Sequence, residues 1–190
     1  MADKPSYLGL LNGIACAETR AHAYLSAWAE VTPDPDVRAV LRKIALREGE
    51  HGMAFAKRIN ELGFDVRESD DPNFEKNMEI ARSERSDLEK LEALGILRFR
   101  KDDEPDIFDS FFRDHTIDIQ TGELLGRYIA EERDTLRLLQ GCKAQLEGRA
   151  NGSASADRLA SLEDKLDTVC RAVEELRQIV CAQTMPADRV

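Results

Sequence analysis

The stretch VRAVLRKIALREGEHGMAFAKRINEL, residues 37–62, decides the fold. Its apolar residues Val37, Leu41, Ile44, Phe55, Ile59 and Leu62 recur at intervals of three and four. Glu48 and His51 occupy two consecutive places in that series. The period puts all eight on one face of an α-helix. Asp34 reads as the N-cap, with Pro35 in the first turn, and Gly63 as the left-handed C-terminal stop. A second helix over 34–62 therefore carries two ionisable side chains in its apolar stripe.

Upstream, residues 6–31 read as a first helix whose inward stripe is Leu11, Ile14, Glu18, Ala21, Leu25 and Trp28. Thr32-Pro33-Asp34-Pro35 ends it, and a link of about three residues packs the two helices antiparallel. Downstream, Asp70-Asp71-Pro72 marks a loop. Residues 74–97 read as a third helix with Phe74, Met78, Ala81, Leu88 and Leu91 inward. Arg98 to Glu104 is a charged break, and a long helix is expected from Pro105 to about Arg149, bent near His115 or at Gly122 and Gly126. Asn151-Gly152-Ser153 reads as a turn before a last helix over 155–183. No alternating strand pattern appears, so the fold class is all-α. Hairpin, long helix-containing crossover over 63–104, hairpin is one connectivity of the four-helix bundle.

The chain of 190 residues, 42% apolar and 34% charged, is long enough for one helical domain over 1–190 with a core that needs no disulfide or metal staple. With 27 basic against 37 acidic side chains the net charge is −10. That balance argues against nucleic acid, which calls for surplus Lys and Arg, and against an anionic membrane surface. No run approaches the 18 or so apolar residues of a bilayer span. Met1-Ala2-Asp3-Lys4-Pro5 lacks the basic and apolar blocks of a signal peptide, so we expect a soluble cytoplasmic protein. Cys16, Cys142, Cys170 and Cys181 form no C-x-x-C pair and read as buried reduced thiols.

The chemistry lies in the stripes. Glu18, Glu48 and His51 sit at core positions, where an unpaired charge costs several kcal/mol, on the order of a broken buried ion pair. No Lys or Arg falls on either stripe near them, and a metal cation is the natural compensator. Glu at i and His at i+3 project from one helical face and reach a single ion. Antiparallel packing brings mid-helix Glu18 to the same level. Carboxylate oxygens with one imidazole suit iron or manganese. The competing reading is a structural polar network, with His51 hydrogen-bonded to Glu18.

Glu18 with Tyr24 and Trp28, then Val37 through Ile44 into Arg47-Glu48-Gly49-Glu50-His51, resembles the first half of the ferritin-like superfamily, in its rubrerythrin-like branch. The likeness covers residues 7–63, and beyond them it rests on topology. It implies a ferritin-like four-helix bundle in which an equivalent Glu and Glu-x-x-His from the second hairpin complete a di-iron centre (Fe2+/Fe3+) that reacts with oxygen or peroxide. Ferroxidase- or peroxidase-like activity, an oxidoreductase role and an external electron donor follow from that resemblance.

The second half departs from this pattern. Leu125, Ile129, Glu132, Leu136, Leu139 and Leu146 form a stripe that makes Glu132 a candidate ligand, with Glu131 one step round the helix as competitor. The last helix runs Leu159, Leu162, Leu166, Val169, Val173, Leu176 and Val180 in an unbroken three-four heptad with no Glu-x-x-His. Asp167 and Cys170 have ligand spacing but lie off that seam. The site is then a single-metal site, a site completed by another subunit, or a degenerate one. His22, four residues after Glu18, reads as a surface cover or as a partner behind the ligands, and His115 lies too far from Glu132 to join it. Gly49 and Gly52 call for close helix approach or room for a ligand.

Two functions follow. The first is a metal-binding protein with Glu18, Glu48, His51 and Glu132 as ligands. The second is a non-catalytic helical scaffold whose heptad makes a homodimer or higher homo-oligomer, although the same seam also serves as the fourth helix of a single bundle, where it covers the other helices.

Overall fold

Thr32, Pro33 and Asp34 alone connect α1 (Leu8–Val31) to α2 (Pro35–Glu61). The Asp34 carboxylate accepts from the backbone N–H of Asp36 (2.9 Å) and of Val37 (3.3 Å), capping α2 where the sequence places its start. Gly63 closes α2 with φ +84°, in the left-handed region. The computed structural model describes residues 4–68, 70–97 and 113–183, with side chains described up to 152, at 161–169 and at 171. Among these residues the chain is helical, with no strand. The charged break at 98–104, the helix start at Pro105, and Phe111 and Phe112 lie outside the described residues. So do the side chains of Leu159, Cys170, Val173, Leu176, Val180 and Cys181. The chain divides into two units, residues 1–146 and 147–190.

The first unit is built on the α1–α2 hairpin and the first part of α5 (Ile119–Gln183). Its core has two apolar clusters. Leu11, Ile14, Phe55, Ile59, Leu125 and Ile129 form one, and Leu25, Trp28, Leu41, Ile44, Leu91 and Leu139 form the other. Along α1, α2 and α5 the same gap separates them. It holds residue 18 on α1, residues 48 and 51 on α2, and residue 132 on α5. A polar layer is thus sandwiched between two apolar ones.

Gly52 allows the hairpin to close. A Cβ there would lie 2.7 Å from Thr19 Oγ1 and 3.2 Å from the Thr19 backbone nitrogen. At Gly49 a Cβ would lie 3.0 Å from His22 Nδ1. Of the two explanations the sequence leaves open for these glycines, close helix approach is the one observed.

Three expectations are corrected. The helix over 74–97 is two helices, α3 (Phe74–Arg82) and α4 (Asp87–Leu94). Ser86 and Glu89 form a reciprocal capping box that starts α4 afresh. Across the break, the buried Lys90 ammonium donates to the Ala81 carbonyl (3.1 Å), one of the orphan acceptors at the end of α3. Of the inward set, Ala81 and Leu91 are fully buried, while Phe74, Met78 and Leu88 are half-buried. Asp87 is buried instead, accepting from Trp28 Nε1 (2.6 Å) and Thr32 Oγ1 (2.7 Å).

Next, α5 starts at Ile119 and residues 114–118 are not helical, so the expected long helix is interrupted where the sequence places a bend, near His115. The Asp118 carboxylate accepts from the Thr121 N–H (3.0 Å), and a cap of that kind favours a fresh start over a continued helix. Finally, the helix runs through Asn151-Gly152-Ser153, where the sequence places a turn. None of the three lacks a backbone donor, and each costs a helix only up to about 1 kcal/mol relative to Ala.

Candidate metal centre

Each side chain of the polar layer continues the apolar register of its helix. Glu18 follows Ile14 by one turn of α1. Glu48 and His51 fill two turns of α2 between Ile44 and Phe55, and Glu132 follows Ile129 on α5. Glu18, Glu48 and His51 are 7%, 4% and 4% exposed, and the Glu132 side chain is 13% exposed. One ligand atom from each of the four lies within 4.8 Å of every other. Opposite ligands around a small dication at about 2.1 Å each are about 4.2 Å apart, so the spread matches one coordination sphere.

His51 Nδ1 faces the carboxylates, 3.4 Å from Glu132 Oε1, 3.7 Å from Glu48 Oε2 and 4.0 Å from Glu18 Oε2. His51 Nδ1 and Glu132 Oε1 are both buried without a hydrogen-bond partner. Two orphaned ligand-type atoms side by side are what a cation between them would satisfy. The residues therefore fit a metal ion: three carboxylates and one imidazole can hold it. Among the described residues no second group of this kind forms.

The electrostatics agree. Burial, with hydrogen bonding to and repulsion from Glu48, pushes the Glu18 carboxyl up to about 10. Burial raises Glu132 as well. For Glu48 burial pulls upward, but the neighbouring His51 imidazole, Glu18 and Arg47 outweigh it and hold the carboxyl below its ordinary value. Burial lowers His51, yet Glu132, Glu48 and Glu131 more than compensate and push it up to about 10. Without a cation, the cluster must hold protons to limit its own repulsion.

Glu131 and Glu132 both reach His51, from opposite sides. Glu132 joins the ligand cluster, while Glu131 Oε2 sits 2.7 Å from Nε2. Arg127 donates to Glu131 (3.0 Å). This carboxylate keeps the proton on Nε2, so that when a cation displaces the Nδ1 proton the lone pair faces the cluster. Arg47 braces the same turn, donating to the Glu131 carbonyl, Thr135 Oγ1 and Asp134, each at 2.9 Å.

Tyr128 is the residue that the stripe reading of α5 passes over. Its hydroxyl donates to Glu18 Oε1 (2.8 Å), and its ring stands edge-on to His51 with centroids 5.0 Å apart. The signal was present: Leu125, Tyr128, Glu132, Thr135, Leu139 and Cys142 also run at three-four spacing. Burial and the charges of Glu18 and Glu132 raise the Tyr128 phenol, so it stays a donor. His22 does not support the ligands; its Nδ1 meets the Ala45 carbonyl at 2.6 Å. His115 is exposed, outside the site. Asp167 is exposed as well. Cys16 and Cys142 are buried and form no disulfide.

Among the described residues no helix is long and apolar enough to cross a membrane. Compared with protein-family models, curated proteins and solved structures, the chain matches none. The chemistry of Glu18, Glu48, His51 and Glu132 is therefore the ground on which its function is read.

Proposed function

We propose that this protein binds a redox-capable transition metal, iron first and manganese second, through Glu18, Glu48, His51 and Glu132. The convergence of four ligand atoms on two orphaned ones carries this reading. Hard carboxylate oxygens with one imidazole favour Fe or Mn over thiolate-seeking metals. The bound ion supplies Lewis acidity and one-electron chemistry toward oxygen or peroxide. The protein's own residues supply the rest. Glu131 orients the imidazole, Tyr128 holds one oxygen of Glu18 so that the other faces the cluster, and the flanking apolar layers limit water. The ferritin-like, rubrerythrin-like affiliation and an oxidoreductase activity fed by an external electron donor belong to the same proposal, resting on the residue 7–63 resemblance.

Metal analysis after anaerobic loading with Fe2+ or Mn2+ tests it. About one ion per chain is expected, and none in the Glu48→Ala, His51→Ala double variant. A wild-type chain that stays metal-free after loading ends the reading.

A second reading concerns assembly. Leu162, Leu166 and Val169 are 59%, 63% and 58% exposed and belong to the heptad of the last stretch. An exposed a/d seam is self-complementary, so we propose a homodimer through it. Light scattering tests this directly: Leu162→Lys with Leu166→Lys turns a dimer into a monomer, and a wild-type monomer at high concentration refutes it.

A further inference from the structure

A cavity of about 290 Å³ opens onto the carboxylate face of the centre, with Glu18, Glu48 and Glu132 in its wall. The opposite wall is apolar: Leu25 from α1, Ile44 from α2, Leu139 from α5, and Leu94 and Ile96 from the end of α4. Gly95, at φ +65°, turns the chain so that Leu94 and Ile96 flank the opening. Among the described residues no Lys or Arg lines it.

Chemistry and size select the ligand. In the metal-free chain, three carboxylates and no Lys or Arg in the wall disfavour an anion. With the carboxylates engaged by the metal ion, the five aliphatic side chains offer nothing to replace the hydration of an ammonium or a hydrated ion. An engineered apolar cavity of about 150 Å³ takes benzene, so this volume suits a molecule of one or two rings. Ligand sites of this kind are apolar walls with a few convergent polar groups.

We infer that this cavity is a substrate chamber for a small, uncharged, largely apolar molecule, bound against the carboxylates of the metal centre. This deepens the metal-binding reading and rests on it for its chemistry, but not for its occupancy. A route for hydrated cations would be lined by charged or polar groups along its length, whereas here, beyond the three carboxylates, the only polar side chains among the described lining are Tyr24 and Thr135.

The experiment uses the full-length protein with toluene as probe and benzoate as its charged counterpart, followed by ligand NMR. In metal-free protein, saturation transfer to toluene, but not to benzoate, is expected. Protein loaded with Mn2+ should broaden the toluene lines several-fold relative to Zn2+-loaded protein, because paramagnetic relaxation falls steeply with distance. Leu94→Trp and Ile96→Trp, at half-buried positions, should each weaken toluene binding at least tenfold while Mn2+ stoichiometry stays unchanged. Toluene that fails to bind a chain holding Mn2+, benzoate that binds equally well, lines that Mn2+ leaves sharp, or binding that survives both Trp variants overturns the inference. If toluene binds and the Trp variants abolish it while Mn2+ is not retained, the chamber stands and the metal reading falls.

Discussion

Glu18→Gln separates the cost of the charge cluster from its use. In the unfolded chain Glu18 ionises near 4.5, whereas in the fold its carboxyl keeps the proton up to about 10. Between these values the folded state binds one more proton than the unfolded state, so metal-free stability falls as pH rises across the window. At pH 7 the gap from 4.5 is two and a half pH units, and taking up that proton costs about 3 kcal/mol. Gln needs no proton, and its amide oxygen still accepts from the Tyr128 hydroxyl. With imperfect hydrogen-bond replacement, the expected gain for the metal-free variant is about 1–3 kcal/mol, or about 2–10 °C in Tm. Its stability should also be flatter between pH 5 and 9. Thermal unfolding followed by circular dichroism in chelator, then with Mn2+, is the assay. With metal the order reverses, since an ion at a hundred times its Kd adds about 2.7 kcal/mol to a chain that binds it and less to one lacking a charged ligand. A metal-free variant less stable than the wild type at pH 7, with the wild-type pH slope intact, would refute the argument that Glu18 is held at electrostatic cost.

Glu131→Gln should leave metal stoichiometry intact but weaken affinity about 10–100-fold, as loss of a carboxylate behind a ligating His does, and competition with a calibrated chelator measures it. Gly52→Ala should destabilise the fold by about 1–3 kcal/mol, because the new methyl meets both Thr19 Oγ1 and the Thr19 backbone; urea unfolding reads this out. Ser86→Ala should cost about 1 kcal/mol by removing the α4 capping box, visible in the same titration. Burial works against Asp118, but bonds from Thr121, Tyr7 and Arg58 hold its carboxyl far below the ordinary 3.8. Its contribution is therefore present above about pH 4 and lost as pH falls toward the folded value. Asp118→Asn should remove that acid-sensitive part and leave a flatter stability profile below pH 4.

The hairpin and its ligands were legible because helical period is a local property. Intervals of three and four put Glu18, Glu48 and His51 inward whatever surrounds them. Asp34, Pro35 and Gly63 mark their helix ends by backbone chemistry each residue carries with it. The divided third helix was legible in principle too, since Ser86 and Glu89 have capping-box spacing, but apolar period alone runs straight through such a cap.

Other features are not local. Whether Glu131 or Glu132 joins the cluster depends on the azimuth of α5 against a hairpin more than eighty residues away in sequence. A rotation of one residue, about 100°, exchanges ligand for orienting partner. Tyr128 became part of the site through a hydrogen bond across 110 residues to Glu18. The cavity exists because residues 94–96, at and just past the end of α4, line the same space as side chains from α1, α2 and α5. The sequence by itself determined which groups are forced into the interior, since burial follows from period and burying charge calls for a partner. Only the tertiary structure decided that four of them meet within 4.8 Å, because that distance depends on how separate helices pack rather than on the order of residues within any one of them.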